Sequence, residues 1–436
     1  MVALTAFFLL SPLLGCDESL KSAAVALQRR EFERASAILE AAPQICYQSS
    51  YFFELMGAAK SLSGNSLGAE EAFRKAVSLS PKSAKLQANL GIVCLQNHHL
   101  DEGIVALEQA AALGSSDSRV LFTLGSLLGE RGNYGKAVEY LSRIPDADVD
   151  DAVSFNLGMG YSHLHQFEKA RGAYFKAIDG KPGHAEAYFR IGLDYATLGA
   201  PRKAIPWLFR ARELGADGPE IVYVLVEQLL RLKYIKTAEE IVNAAMERSP
   251  LDSLVTVASG DVLQQKGDHT AAVSKYQDAI SQHPHLPAAL IGLAQVAILK
   301  GNDGEAQPYL LEALTADPAN SSANGQLGIL EGRRGDWTSA AAHLKSAWET
   351  DRSNVLIGLE LARALRHCGQ LSNALRILKS LEPRMGDSSP FHLELATLYA
   401  QLHRSADAQA ERAMVANLQS QAHQELRFED SQVYVH

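Results

Sequence analysis

The chain has 436 residues, of which 47% are hydrophobic and 21% charged, and its net charge is −9. That composition suits a soluble protein with ample material for a core, and with no long basic run nothing favours a nucleic-acid backbone as partner, so no nucleic acid is expected. Four cysteines (Cys16, Cys46, Cys94 and Cys368), none in a CxxC spacing, are too few for a disulfide scaffold; apart from Cys16 they read as small buried or half-buried residues.

The first element is an uncharged stretch, "VALTAFFLLSPLLG", at residues 2–15. Its 14 residues fall short of the ~20 that span a bilayer as a helix, but they suit the apolar region of a signal peptide. No basic residue precedes Lys21. The stretch ends in Leu-Leu-Gly-Cys, which resembles a lipoprotein processing site. That resemblance implies lipidation of Cys16, a chain held on the periplasmic side of a cell envelope, and no other membrane contact. Asp17 and Glu18 would then lie in the first turn of the first helix, where acids suit the helix dipole. The alternative is a cytosolic protein whose residues 2–15 form an apolar cap on the helices that follow.

From residue 16 onward the chain repeats. Residues 52–81, 153–182 and 256–284 each carry a small residue, an alanine twelve positions on, then a bulky apolar residue, a second alanine and a proline. This predicts two amphipathic helices, A and B, joined by a short turn. The small residue on A and the alanine on B allow close approach, the bulky residue fills the space beside them, and the proline stops B. In register, the small position runs from Ala23 to Ala396 in twelve units, and eleven of the twelve residues are Gly or Ala. The exception is Val226, where the helices are expected to splay. The spacing is 34 residues, except for 33 between units 4 and 5.

With Leu157-Gly158, Tyr161, Ala170, Tyr174, Ala177 and Pro182 in unit 5, and Ile191-Gly192, Tyr195, Ala204, Leu208 and Ala211 in unit 6, the sequence resembles the tetratricopeptide-repeat family. The resemblance implies an all-α, right-handed superhelical solenoid of about twelve antiparallel helix pairs over residues 16–422, with A helices lining the concave surface. Each pair buries its apolar face only against its neighbours. Pro43, Pro145 and Pro383 come early in their units, so B helices 1, 4 and 11 are expected to end early, with a bend or a longer loop near 145–151. Arg412 replaces the bulky residue in the last unit, as suits a terminal cap. Residues 423–436, ending in "RFEDSQVYVH", read as a tail.

No catalytic, cofactor or metal site emerges. The sequence lacks G-x-x-x-x-G-K-[ST], G-x-S-x-G and H-E-x-x-H, the patterns that cradle phosphate, present a nucleophile or bind zinc. The pairs His98-His99, His163/His165 and His283/His285 fall in or beside turns and read as surface residues. An enzyme is therefore not expected, and a role as accessory subunit of an enzyme complex, such as a glycosyltransferase, is a minor alternative.

The concave face is the candidate site. Three residues before the small position lie Phe122, Phe155, Phe189 and Tyr223, in units 4 to 7. One residue further on are Asn89, Thr123, Asn156 and Arg190, with Lys85 and Arg119 upstream. Aromatic rungs with amides and cations suit an extended peptide or a partner helix, at roughly micromolar affinity. The same residues could equally serve packing between helices. The family's clamp on a partner's C-terminal carboxylate needs Lys and Asn on successive A helices; Ala88 and Ile92, then Phe122 and Ser126, stand there instead. Trp337 is expected in the core.

Overall fold

The computed structural model describes residues 3–352 and 354–433, with side chains from 15 to 420. It divides into two compact units, residues 1–187 and 188–436. Among the described residues the regular elements are twelve helix pairs and two short 3-10 turns, with no strand. The first unit begins with α1 (Ala3–Gln28) and α2 (Phe32–Glu40), then α3 (Ser50–Leu62) and α4 (Ser66–Leu79), α5 (Ala84–Gln96) and α6 (Leu100–Ala112). It continues with α7 (Ser118–Glu130) and α8 (Tyr134–Leu141), α9 (Asp151–His163) and α10 (Phe167–Gly180), and the division falls within α11 (Ala185–Thr197). The second unit holds α12 (Pro201–Glu213), α13 (Pro219–Arg231) and α14 (Ile235–Arg248), α15 (Ser253–Gln265) and α16 (His269–Gln282), α17 (Pro287–Leu299) and α18 (Asp303–Ala316). It closes with α19 (Ser321–Arg333) and α20 (Trp337–Thr350), α21 (Val355–His367) and α22 (Leu371–Met385), α23 (Ser389–Gln401) and α24 (Ser405–Val433).

One packing rule repeats. A Cβ added to Gly57 would come within 2.8 Å of the Phe73 ring, one on Gly91 within 2.7 Å of Leu107, and one on Gly260 within 2.6 Å of Tyr276. In each case the bulky residue of helix B, sixteen positions on, sits directly over the small residue of helix A. Interiors are packed too tightly to admit even one extra carbon there. At Val226 the register partner is Val242, smaller than the Phe, Leu or Tyr found elsewhere, and both are buried in one core cluster. The volume that Val226 adds on one helix is removed on the other, so the composition itself offsets the expected splay.

A second rule governs the A–B turn. Seven residues after the small position the backbone φ is positive in all twelve repeats: glycine at seven of them, and Arg30, His98, His165, Lys233 and His403 at the others. A helix that ends on a left-handed residue closes its last carbonyls and reverses direction in few residues. Two of the paired histidines are therefore explained by chain reversal. Side-chain caps such as Asn65, Asp268 and Asp336, which accept from the N–H groups of Gly68, Ala271 and Ser339, then start helix B.

Two expectations are modified. α2 and α8 do end before Pro43 and Pro145, each followed by a 3-10 turn, Gln44–Gln48 and Asp146–Asp148. Pro383, however, lies inside α22, which runs on to Met385. Its ring is on an exposed part of the last turn while Leu381 stays fully buried, so the lost hydrogen bond falls where the helix is already ending. At the far end, α24 continues to Val433 through most of the expected tail, with Arg412 exposed; Tyr434, Val435 and His436 lie outside the described residues.

The N-terminal correction is chemical. α1 is continuous across residues 15 and 16, and Cys16 is 92% buried in the core of the first repeat. Its Sγ is bonded to Sγ of Cys46, in the 3-10 turn, with Cα atoms 5.5 Å apart. A sulfur engaged in a disulfide cannot carry the thioether that lipidation requires, so the structure gives Cys16 a cross-linking role instead. The side chains of residues 2–14 lie outside the described residues. No described helix is long and apolar enough to cross a membrane.

Candidate binding surface

The proposed rungs separate once placed. In the first unit the polar members are engaged locally. Lys85 pairs with Glu54 at 2.5 Å, Arg119 with Asp117 at 3.0 Å, and the Asn156 amide donates to the Ala152 carbonyl at 2.9 Å. Asn89 is half-buried. Phe122 packs against the core around Leu121 and Leu124, and Phe155 stacks on His184 with ring centroids 4.7 Å apart. In the second unit Phe189 is only 3% exposed and belongs to the core, with the Arg190 guanidinium 5.3 Å from its ring. Phe189 is thus a packing residue rather than an open rung, because its face of α11 turns inward with Ile221 and Leu225. Trp337 packs against the last core cluster and stacks on His367 at 3.9 Å.

The turn histidines follow the same pattern. His99 pairs with Glu70 at 3.0 Å, His285 with Glu312 at 3.0 Å, and His163 stacks on Tyr134 at 4.0 Å. Glu70, Cys94 and Glu102 bring possible metal ligands within 4.8 Å of one another. The Arg74 guanidinium already donates to both carboxylates there, and burial pushes the Cys94 thiol up to about 11. The charge a metal would supply is present on arginine.

Of the aromatic rungs, Tyr223 opens onto a cavity. It lines about 550 Å³ of space over the A helices of the second unit, together with Glu227 and Arg231 on α13, Asp261 and Gln264 on α15, and Gln295 on α17. That size is within the roughly 300–1,000 Å³ of ligand pockets. Glu227, Asp261 and Gln295 each stand one residue after the small position of successive A helices, so helix stacking alone aligns them.

Packing fixes the floor of this cavity. Tyr276 on α16 is fully buried, with its ring between Gly260 of α15 and Gly292 of α17; a Cβ on the latter would come within 2.5 Å of it. The ring has one position, and its hydroxyl emerges 2.7 Å from Asp261 Oδ1 and 2.8 Å from Gln264 Oε1. The Gln264 amide nitrogen is directed to Gln295 Oε1 at 3.4 Å. One phenol proton thus faces two acceptors. Desolvation, opposed by the Tyr276 hydrogen bond and reinforced by Glu227, pushes Asp261 up to about 7. Protonated, Asp261 would complete the chain by donating to the Tyr276 oxygen. Ionised, it has no described cation as partner, since Arg231 is taken by Glu227 at 2.8 Å and Lys233 by Gln265 at 2.8 Å.

A second cavity, also about 550 Å³, shares Glu227, Arg231, Asn320 and Ser322 with the first. It is bordered by Gln228, 1% exposed, and Gln326, whose Oε1 atoms both lack a hydrogen-bond partner. Buried carbonyl oxygens left unmatched are uncommon and mark where a donor is missing. The inner face of the second unit is therefore rich in acceptors.

Comparison with known proteins agrees with the fold. Residues 263–328 and 333–392 match the tetratricopeptide-repeat family model, and the rest of the chain keeps the same register. The matched stretch consists of tetratricopeptide repeats. It is 23% identical over 312 residues to the BBSome complex member bbs-4 of Caenorhabditis elegans, covering 69% of this chain and 67% of that one. It is 26% identical over 147 residues to BBSome complex member BBS4 of Bos taurus, covering 34% of this chain and only 28% of the relative. A chain in the solved structure of Naa15/Naa10 bound to HypK-THB aligns over 92% of this chain and 75% of its own length, at 15% identity and a TM-score of 0.44.

Proposed function

We propose that this protein is a non-enzymatic interaction scaffold that takes an extended peptide or a partner helix on the inner face of its A helices, and that it works in an oxidising compartment such as a cell envelope. The observation that carries the first part is the acceptor-lined cavity over α13, α15 and α17, where side chains of three successive repeats converge. Repeats that fill the chain leave the surface as the place for function, and the relatives bear names that make them members of a complex. The Cys16–Cys46 disulfide supports the compartment, since such bonds persist where thiols are not kept reduced.

A photo-cross-linking residue placed at Gln295, in the cavity, should capture partner in the native cell, while one at the exposed Gln277 on α16 should not. Capture from Gln277 alone would move the site to the outer face.

A further inference from the structure

The inner face of the second unit offers acceptors and an unpaired acid, which is the reverse of what a carboxylate-binding groove would need. We propose that the cavity around Asp261 is a receptor for a basic side chain, arginine in preference to lysine, carried by an extended peptide of the partner. The proposal rests on the groove reading above and names its ligand.

Three observations converge on it. Asp261 is a half-buried carboxylate without a described cation, and its second oxygen is not used by Tyr276. The aromatic ring of Tyr223 lines the same cavity, where a cation gains from the face of a π-system once water is excluded. Around them the Oε1 atoms of Gln264 and Gln295 accept, from the Tyr276 hydroxyl and the Gln264 amide, and the adjoining cavity adds the orphaned Gln228 Oε1. A guanidinium presents five donors in a flat fork and no acceptor, so it can satisfy Asp261 and a neighbouring amide together; an ammonium, as a compact point charge, matches fewer of them.

The charged groups around Asp261 give the site a pH response. α13 presents Tyr223, Glu227 and Arg231, the turn after it presents Lys233, bonded to Gln265, and α16 presents Tyr276, whose hydroxyl is held protonated by burial; α17 contributes the uncharged Gln295. Arriving guanidinium favours ionised Asp261, the Tyr276 proton turns to Oδ1, and one proton leaves to solvent. Binding therefore strengthens as pH rises through about 7.

The test selects ligands for the full-length protein at pH 8 from a random dodecapeptide library displayed on phage. The expected result is enrichment of arginine at one fixed position, and loss of that enrichment when Asp261→Asn is the bait. Selected peptides should bind the variant about 10–100-fold more weakly, the scale of a charged hydrogen bond, and should weaken when the arginine is replaced by its neutral isostere citrulline. The substituted carboxamide keeps the shape of Asp261, and an unchanged circular dichroism spectrum confirms the fold. Peptides that cross-link to position 295 without any arginine preference, or whose preference survives Asp261→Asn, would remove the basic anchor and leave the groove reading standing. Failure to select any peptide would remove both.

Discussion

The two compact units use one repeat and one packing rule, yet their inner faces differ. The residue after the small position is Ala24, Ala58, Ile92, Ser126 and Met159 in the first unit, none of them charged. In the second it includes Glu227, Asp261 and Gln295 on consecutive repeats. Around it, the first unit's charged groups meet partners of their own, as Lys85 meets Glu54 and Arg119 meets Asp117, and of the five register residues only Ser126 leaves an oxygen without a partner. The second leaves Asp261 without a cation and two glutamine oxygens without donors. Solenoid stability thus comes from buried positions common to every repeat, while one half-buried register position differentiates a surface at little cost to the stack.

Four predictions would break or sharpen that contrast. The largest effect concerns what the units share. Tyr174 and Tyr276 occupy the same register position and are both fully buried, so Tyr174→Ala and Tyr276→Ala should each destabilise by about 3–5 kcal/mol. Urea unfolding followed by circular dichroism measures both; values differing by more than about 2 kcal/mol would undo the idea of a common packing rule.

Next is the cross-link peculiar to the first unit. Cys46→Ser should cost about 2–4 kcal/mol, seen as faster hydrogen exchange in α1 to α3 and a lower melting temperature. In mass spectrometry of the denatured, unreduced chain, Cys94 and Cys368 should be alkylated while Cys16 and Cys46 are not. A fatty-acyl group on Cys16 would reverse the assignment.

Third comes pH, which should act on the second unit. Asp261 titrates at about 7 when folded against an ordinary value near 3.8, so between those values the native state holds the extra proton. Stability from this group falls as pH rises through that window, and above about pH 7 the full penalty stands. Asp261→Asn removes the slope, so the variant should gain on the wild type from pH 5 to pH 8, by about 2 kcal/mol or less once solvent screening is allowed for. Parallel thermal melts decide it; identical pH slopes would show that Asp261 is ordinary.

The smallest effect lies in the turns. His98→Gly and His165→Gly relieve left-handed backbone and should each stabilise by about 0.5–1 kcal/mol, whereas Gly132→Ala should destabilise by a similar amount. Differential scanning calorimetry resolves such shifts, and a loss on His165→Gly would mean that its side chain contributes more than its backbone costs.

The fold was legible because the same few residues recur at fixed distances: Gly91 under Leu107 and Gly260 under Tyr276 are visible as spacing before they are visible as contact. The candidate site was less so. Phe189 and Tyr223 share a register position, but one is core and the other opens on a cavity, because burial depends on neighbouring helices that spacing does not describe. Asp261 looks in sequence like any acid on a helix. Only the clamping of Tyr276 between Gly260 and Gly292, residues 32 apart, brings a buried hydroxyl to it. The register did hold one unused clue: Glu227, Asp261 and Gln295 occupy successive rungs. The motif at Cys16 was read without Cys46, to which the structure bonds it, and Pro383 stays inside α22 because its missing N–H falls in the exposed last turn.

The left-handed residue that closes every A helix also marks where the gene could be edited. Removing 34 residues from one such turn to the next, from Gly301 to Gly335 for instance, would join like to like and return a chain still in phase. Length is therefore free to drift under recombination, one module at a time. The stretch from Tyr223 to Gln295 is not: its rungs come from three consecutive modules, and a cut between them would leave a sound solenoid without the cavity those rungs line.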